Sequence, residues 1–220
     1  MAPAPTLYGK GQHPREPGSR LIRPLHGGHL GLDYLNTVSD HMSLTGDDDF
    51  SPGYVNVVEW CWQAGVLTDE DTARLLRAAS KEPREAAAVR KRVIAFREAL
   101  YAIVHTFTLD GEPATDSLDL FNNELRNANQ HGYFAANGPH LAWQWRDEPR
   151  LDRILWPIGQ SAVELLTSER LHKVKQCQAE HCQTYFLDNS KNGSRRFCSA
   201  AGCGTTDRVR RFRERRKSNA

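Results

Sequence analysis

Long apolar runs are the first thing this 220-residue sequence lacks. No stretch of about 18 apolar residues occurs, so no segment is expected to span a membrane. The first 20 residues contain Pro3, Pro5, Pro14 and Pro17 but no apolar core, so a secretory leader is not expected there. Residues 1–20 read as a disordered tail, and the cytoplasm is the expected location. Catalytic signatures are missing too: there is no phosphate-cradling glycine loop, no HExxH and no nucleophile elbow. The chain is therefore read as a non-enzyme. His26, His29 and Asp33 form its one acid–base cluster, and glycine-flanked histidines are more often turn or core residues. Internal repeats and low-complexity segments are absent. Cysteine is nearly absent from the first 176 residues, where Cys61 stands alone between Trp60 and Trp62 and reads as a small buried hydrophobe.

What is present is uneven. Hydrophobic residues at 39% and charged residues at 25% are ordinary for a globular chain long enough for one core plus a small module. The net charge of +2 conceals a split. From residue 170 onward there are thirteen Lys and Arg against four Asp and Glu, a net of +9; residues 1–169 hold sixteen against twenty-three, a net of −7. An acidic body with a basic arm suggests a polyanionic partner.

Apolar spacing predicts a mostly α fold with small antiparallel β elements, an α+β arrangement of helical body and C-terminal finger. A short strand is expected at residues 21–25, then a helix over 30–38. The acidic loop Asp47-Asp48-Asp49 reads as solvated. A helix over 54–64 is expected to bury Val55, Val58 and Trp62, with Gly65 at its C′ end. Thr68 is the expected N-cap of the next helix, with Asp71 completing a capping box. A long helix follows from Pro83 to about residue 108. Another covers 116–129, with Leu118, Phe121 and Leu125 inward. Alternating aromatics around Asn137-Gly138 predict a hairpin between residues 133 and 146. The last body helix lies within 150–169, kinked or started by Pro157.

Four cysteines, Cys177-x4-Cys182 and Cys198-x4-Cys203, form two close pairs separated by fifteen residues. Paired thiols in a cytosolic chain argue for metal over disulfides. Four thiolates close a tetrahedron, so the expected cofactor is one structural Zn2+ per chain with no open position for catalysis. His181 is an alternative ligand beside Cys182. A hairpin is expected between 185–187 and 195–197, giving a treble-clef-like finger followed by a basic helix. Bound zinc with its thiolates carries −2, so the segment keeps about +7.

That helix, 207–217, holds six arginines and one lysine. Val209, Phe212 and Arg216 make a stripe expected to dock on the finger, with Asp207 and Glu214 on the far side. Arg208, Arg211 and Arg215 flank the stripe on one side, and Arg210, Arg213 and Lys217 on the other. With the stripe docked, one flank is expected to matter more than the other. Arginine's planar fork suits phosphates and base edges. Candidate nucleic-acid contacts are Arg195, Arg196, Arg208, Arg210, Arg211, Arg213, Arg215 and Arg216.

Several boxes resemble a known family. Gly31-Leu32-Asp33-Tyr34-Leu35-Asn36-Thr37 is similar to an "LDFLNT" signature. Glu59-Trp60, Ala64-Gly65-Val66-Leu67 and Phe96-Arg97-Glu98-Ala99-Leu100 also match, as do Tyr185-Phe186-Leu187-Asp188 and Arg195-Arg196-Phe197-Cys198-Ser199. From about Leu21 to Lys217 the chain resembles an ABATE domain followed by a CGNR zinc finger. The resemblance implies a bacterial stress-induced transcriptional regulator whose finger binds nucleic acid. It implies domains at 21–169 and 170–220. One departure is that Cys203-Gly204-Thr205-Thr206 stands where the family has Cys-Gly-Asn-Arg, which puts that arginine's contact in question.

Asp33, Asn36 and Thr37 form a polar set that either lines a small-ligand pocket or stitches backbone, the latter being commoner for short polar side chains. The function expected is therefore a zinc-dependent nucleic-acid-binding regulator, with DNA preferred over RNA and a small-molecule effector for the body. The rival is a protein-interaction module in which zinc is only a staple. The sequence leaves the oligomeric state open.

Overall fold

The structure is a computed structural model that describes residues 25–38, 41 and 53–218. The expected tail, residues 21–24 of the strand expected at 21–25, and the Asp47-Asp48-Asp49 loop lie outside the described residues. Seven α-helices and two two-stranded antiparallel sheets are described. The helices are α1 (Leu30–Leu35), α2 (Tyr54–Gln63), α3 (Asp69–Lys81), α4 (Pro83–Thr108), α5 (Thr115–Asn129), α6 (Leu155–Leu166) and α7 (Thr205–Ser218). The strands are β1 (Gly132–Asn137), β2 (His140–Trp145), β3 (Val174–Gln176) and β4 (Tyr185–Leu187). No helix among the described residues is long and apolar enough to cross a membrane.

The long helix α4 is the spine. Its Val89, Val93, Phe96, Leu100 and Val104 recur every three or four residues and all are buried. Helices α1, α2, α3, α5 and α6 pack around it. Thr68 caps α3 as predicted: its hydroxyl accepts from the Asp71 amide and donates to the Asp71 carboxylate. Pro157 occupies the first turn of α6, where a missing N–H breaks no helical bond, after a 3-10 turn at Leu151–Ile154. Cys61 is fully buried, and burial pushes its thiol well above its ordinary pKa.

Two helical faces differ from the expected ones. On α2, Val58 is buried as expected, but Val55 is 48% exposed and Trp62 is half-buried, while Val57, Trp60 and Cys61 are buried. On α5, Leu118 is exposed, and Phe121, Glu124 and Ala128 face inward. Glu124 is accepted inside because Arg92 reaches it with two hydrogen bonds of 3.0 and 2.7 Å. The α5 face was misread because the partner that neutralises Glu124, Arg92, lies 32 residues away.

The hairpin β1–β2 forms with Asn137 opposite His140. Gly138 is the first turn residue at φ +58°, where a left-handed conformation favours glycine.

Helix α1 lies where body and finger meet. It packs on α4, on α6 and on β4. The approach to α6 needs Gly31, since a Cβ there would sit 3.3 Å from the Ala162 Cα. The main core runs across the expected boundary: Leu171, Val174, Tyr185 and Leu187 belong to the same buried cluster as Leu32, Leu35, Phe96 and Leu100.

Candidate metal centre and basic helix

The metal centre starts from two turns. In the first, between β3 and β4, Cys182 N–H donates to the Ala179 carbonyl, and His181 adopts φ +63°. In the second, Ser199 caps a π-helical turn at Ala200–Gly204 by accepting from the Gly202 amide. The turns bring the Sγ atoms of Cys177, Cys182, Cys198 and Cys203 within 4.8 Å of one another. The Cys182–Cys198 and Cys198–Cys203 separations are 3.9 and 3.6 Å. Zinc–sulfur bonds of about 2.3 Å in a tetrahedron place the sulfurs about 3.8 Å apart, so the four cysteines fit one zinc. His181 is 90% exposed and lies outside this cluster.

A hydrogen bond from Cys198 holds Cys182 down, while the same contact, burial and the neighbouring thiolates push Cys198 up. A divalent ion reverses this by favouring all four thiolates. Cys177, Cys198 and Phe186 form a small core of their own, with Phe197 against it. Zinc here is structural.

The finger's hairpin is not the expected one. Strand β4 pairs with β3, across the first knuckle, in the register Val174–Leu187, Lys175–Phe186 and Gln176–Tyr185. Residues 195–197 return to the finger without making a ladder. Asp188 substitutes for the missing ladder. Its carboxylate accepts from the Ser190 amide and hydroxyl, the Arg195 amide and the Lys175 ammonium. Burial opposes its charge, but those donors hold the carboxyl well below the usual range. Sequence reasoning missed Asp188. The available signal was a lone acid directly after an apolar strand in a strongly basic segment.

The Asp33, Asn36 and Thr37 set is turned to stitching. Asp33 accepts from the Gly27 amide at 2.8 Å, and Gly27 has no room for a Cβ, which would lie 2.8 Å from the Asp33 nitrogen. Thr37 donates to the Tyr34 carbonyl and accepts from Arg97. Asn36 holds the finger: its amide donates to the Tyr185 carbonyl at 2.8 Å, and its oxygen accepts from the Tyr185 N–H at 2.9 Å. Gly27 extends this edge by accepting from Leu187 N–H at 2.8 Å. Tyr185 O–H reaches His105 Nδ1 at 2.6 Å. Of the three polar residues only Asn36 lines the shallow cleft of about 260 Å³ beside Cys182 and Cys203. His29 is a helix cap: its Nδ1 accepts from Gly31 N–H, and burial lowers its pKa.

The candidate arginines divide into committed and outward groups. Arg195 lies over the Phe186 ring and donates to the carbonyls of Phe197, Leu187, His26 and Cys198. It is thus a joint between finger and body. Arg196 is exposed and donates to Gln178. In α7, Asp207 is 7% exposed and is covered by Arg210 and Arg211, and Arg210 also pairs with Glu214. The Arg211 hydrogen bond holds the Asp207 carboxyl below its usual range. Arg208, Arg213, Arg215 and Arg216 are exposed.

The stripe of α7 expected to dock on the finger is exposed instead. Val209 is 42% exposed and Phe212 58% exposed, while Asp207 is buried beneath Arg210 and Arg211 of its own helix. Thr205 and Thr206, in place of the family's Asn and Arg, donate to the carbonyls of Ala200 and Gly202. They tie the start of α7 to the metal turn.

Comparison with known proteins agrees with this geometry. The model of the CGNR zinc finger matches residues 173–216. The model of ABATE, described as "Putative stress-induced transcription regulator", matches residues 28–169. No curated protein matches the chain. With its four thiols placed for one zinc ion and an ABATE match over most of its length, the chain belongs to the ABATE family and carries a CGNR zinc finger.

Proposed function

We propose that this protein is a zinc-dependent DNA-binding transcriptional regulator that holds duplex DNA with its finger and α7. The observation carrying this reading is the arginine-rich outward surface of α7, on a segment of net +9 attached to a body of net −7. Thirteen bases on 51 residues provide a sequence-independent affinity for phosphate. The zinc turn sets where α7 begins, so metal and binding surface are mechanically one unit. The acidic body faces away from a polyanion by charge and is the part suited to taking a signal.

The test is duplex binding by the full-length, zinc-loaded protein as salt is raised. Affinity should fall steeply, with a log–log slope of about −0.9 for each phosphate neutralised. A protein that ignores duplex DNA at low salt defeats the reading and leaves the protein-interaction module in its place. Running single-stranded DNA and duplex RNA beside it decides among polyanions.

A further inference from the structure

We infer that the outward face of α7 enters the major groove and reads bases, with Val209 and Phe212 against thymine methyl groups. The inference rests on the DNA-binding reading and goes beyond it to the residues that confer sequence preference.

The argument begins with helical geometry. At 3.6 residues per turn, Arg216 lies about 180° from Asp207, with Val209 and Phe212 beside it. Val209 is 42% and Phe212 58% exposed, and Arg216 is exposed, so this side faces solvent. Arg208 and Arg215 then lie about 90° to one side, and Arg213 and Lys217 about 90° to the other. All are exposed. Of the two acids on this helix, Asp207 is taken by Arg210 and Arg211, and Glu214 by Arg210.

Two exposed apolar side chains between two basic rims need an occupant with the same cross-section. The major groove has it: about 12 Å wide, it admits one helix, is bordered by two phosphate chains and carries the thymine methyls on its floor. The 14 residues of α7 span about 21 Å, enough for several base pairs. Among the described residues, the main packing of α7 is on the π-helical turn before it, and both rims are exposed. Arg216 extends over the Phe212 ring and can turn from it to a guanine edge. Both flanks therefore contribute to binding, instead of one dominating as a docked stripe required.

The experiment is selection of duplexes from a randomised pool by the full-length, zinc-loaded protein. The recovered duplexes are then remade with deoxyuridine for thymine, which removes the methyl and nothing else. Wild-type affinity should drop about fourfold for each methyl contacted. Phe212→Ala should bind the thymine duplex more weakly and lose the thymine–uracil discrimination. Its salt slope should not change, since an apolar contact releases no counterion. The double substitutions Arg208→Gln/Arg215→Gln and Arg213→Gln/Lys217→Gln should each flatten that slope. Zinc content and circular dichroism of each variant confirm folding. Discrimination retained in both Phe212→Ala and Val209→Ala overturns the inference while leaving DNA binding intact. So does a pool that returns no preference, or Phe212→Ala turning a dimer into a monomer with DNA affinity unchanged. Failure of every protein to bind duplex at low salt removes the DNA reading and this inference together.

Discussion

Cutting the chain after Glu169 tests whether the body stands without its finger. The charge switch and the two family matches both divide the chain near that point. The packing does not. Leu171, Val174, Tyr185 and Leu187 are 7%, 6%, 0% and 0% exposed, all within the body's main core. Burying such side chains is worth about 1.5–3 kcal/mol each, or about 6–12 kcal/mol for the four. Roughly half of that contact area belongs to the body, so the truncated body forfeits about 3–6 kcal/mol. Domains are stable by only about 5–15 kcal/mol. The loss should lower the melting temperature by about 6–24 °C for a chain of this size. Urea and thermal melts followed by circular dichroism measure it against the full-length protein. A residue 1–169 chain that unfolds cooperatively within about 2 °C of the full-length protein refutes the reasoning and makes the finger an independent appendage.

Three further outcomes follow from named contacts. Asn36→Ala leaves the Tyr185 N–H and carbonyl buried without those partners, so it should cost about 2–6 kcal/mol in urea unfolding, with the slope m unchanged. Cys198→Ser should abolish stoichiometric zinc by metal analysis. Because β3 and β4 are in the main core, it should also lower the melting of the helical body, contrary to expectation for a separable finger. Burial opposes ionisation of Asp152, but hydrogen bonds from Arg150 and Arg92 hold its carboxyl below the ordinary value. A depressed folded pKa contributes stability above the unfolded value of about 3.9 and loses it as pH falls through the folded one. Asp152→Asn should therefore be less stable than wild type at pH 7, and the gap should close on acidification towards pH 3; a gap independent of pH counts against this account.

The sequence by itself determined the features whose causes are local. Paired cysteines with four residues between them favour tight turns, and four thiols on two turns point to zinc before any fold is known. The periodicity of α4 and the Thr68 cap were legible because a helix writes its pattern within a few residues. Tertiary structure decided what partners do. The polar box at Asp33, Asn36 and Thr37 showed that something needed short hydrogen-bonding side chains, but Tyr185 lies 149 residues beyond Asn36. The expected hairpin failed because strand pairing is chosen by which edges meet, and Asp188 closed the loop in place of a ladder. The face of α7 was misread for the same reason. Spacing shows that Val209, Phe212 and Arg216 share a side of the helix, but it carries no information on whether that side meets protein or solvent. The exposure of Val209 and Phe212, at 42% and 58%, settled it.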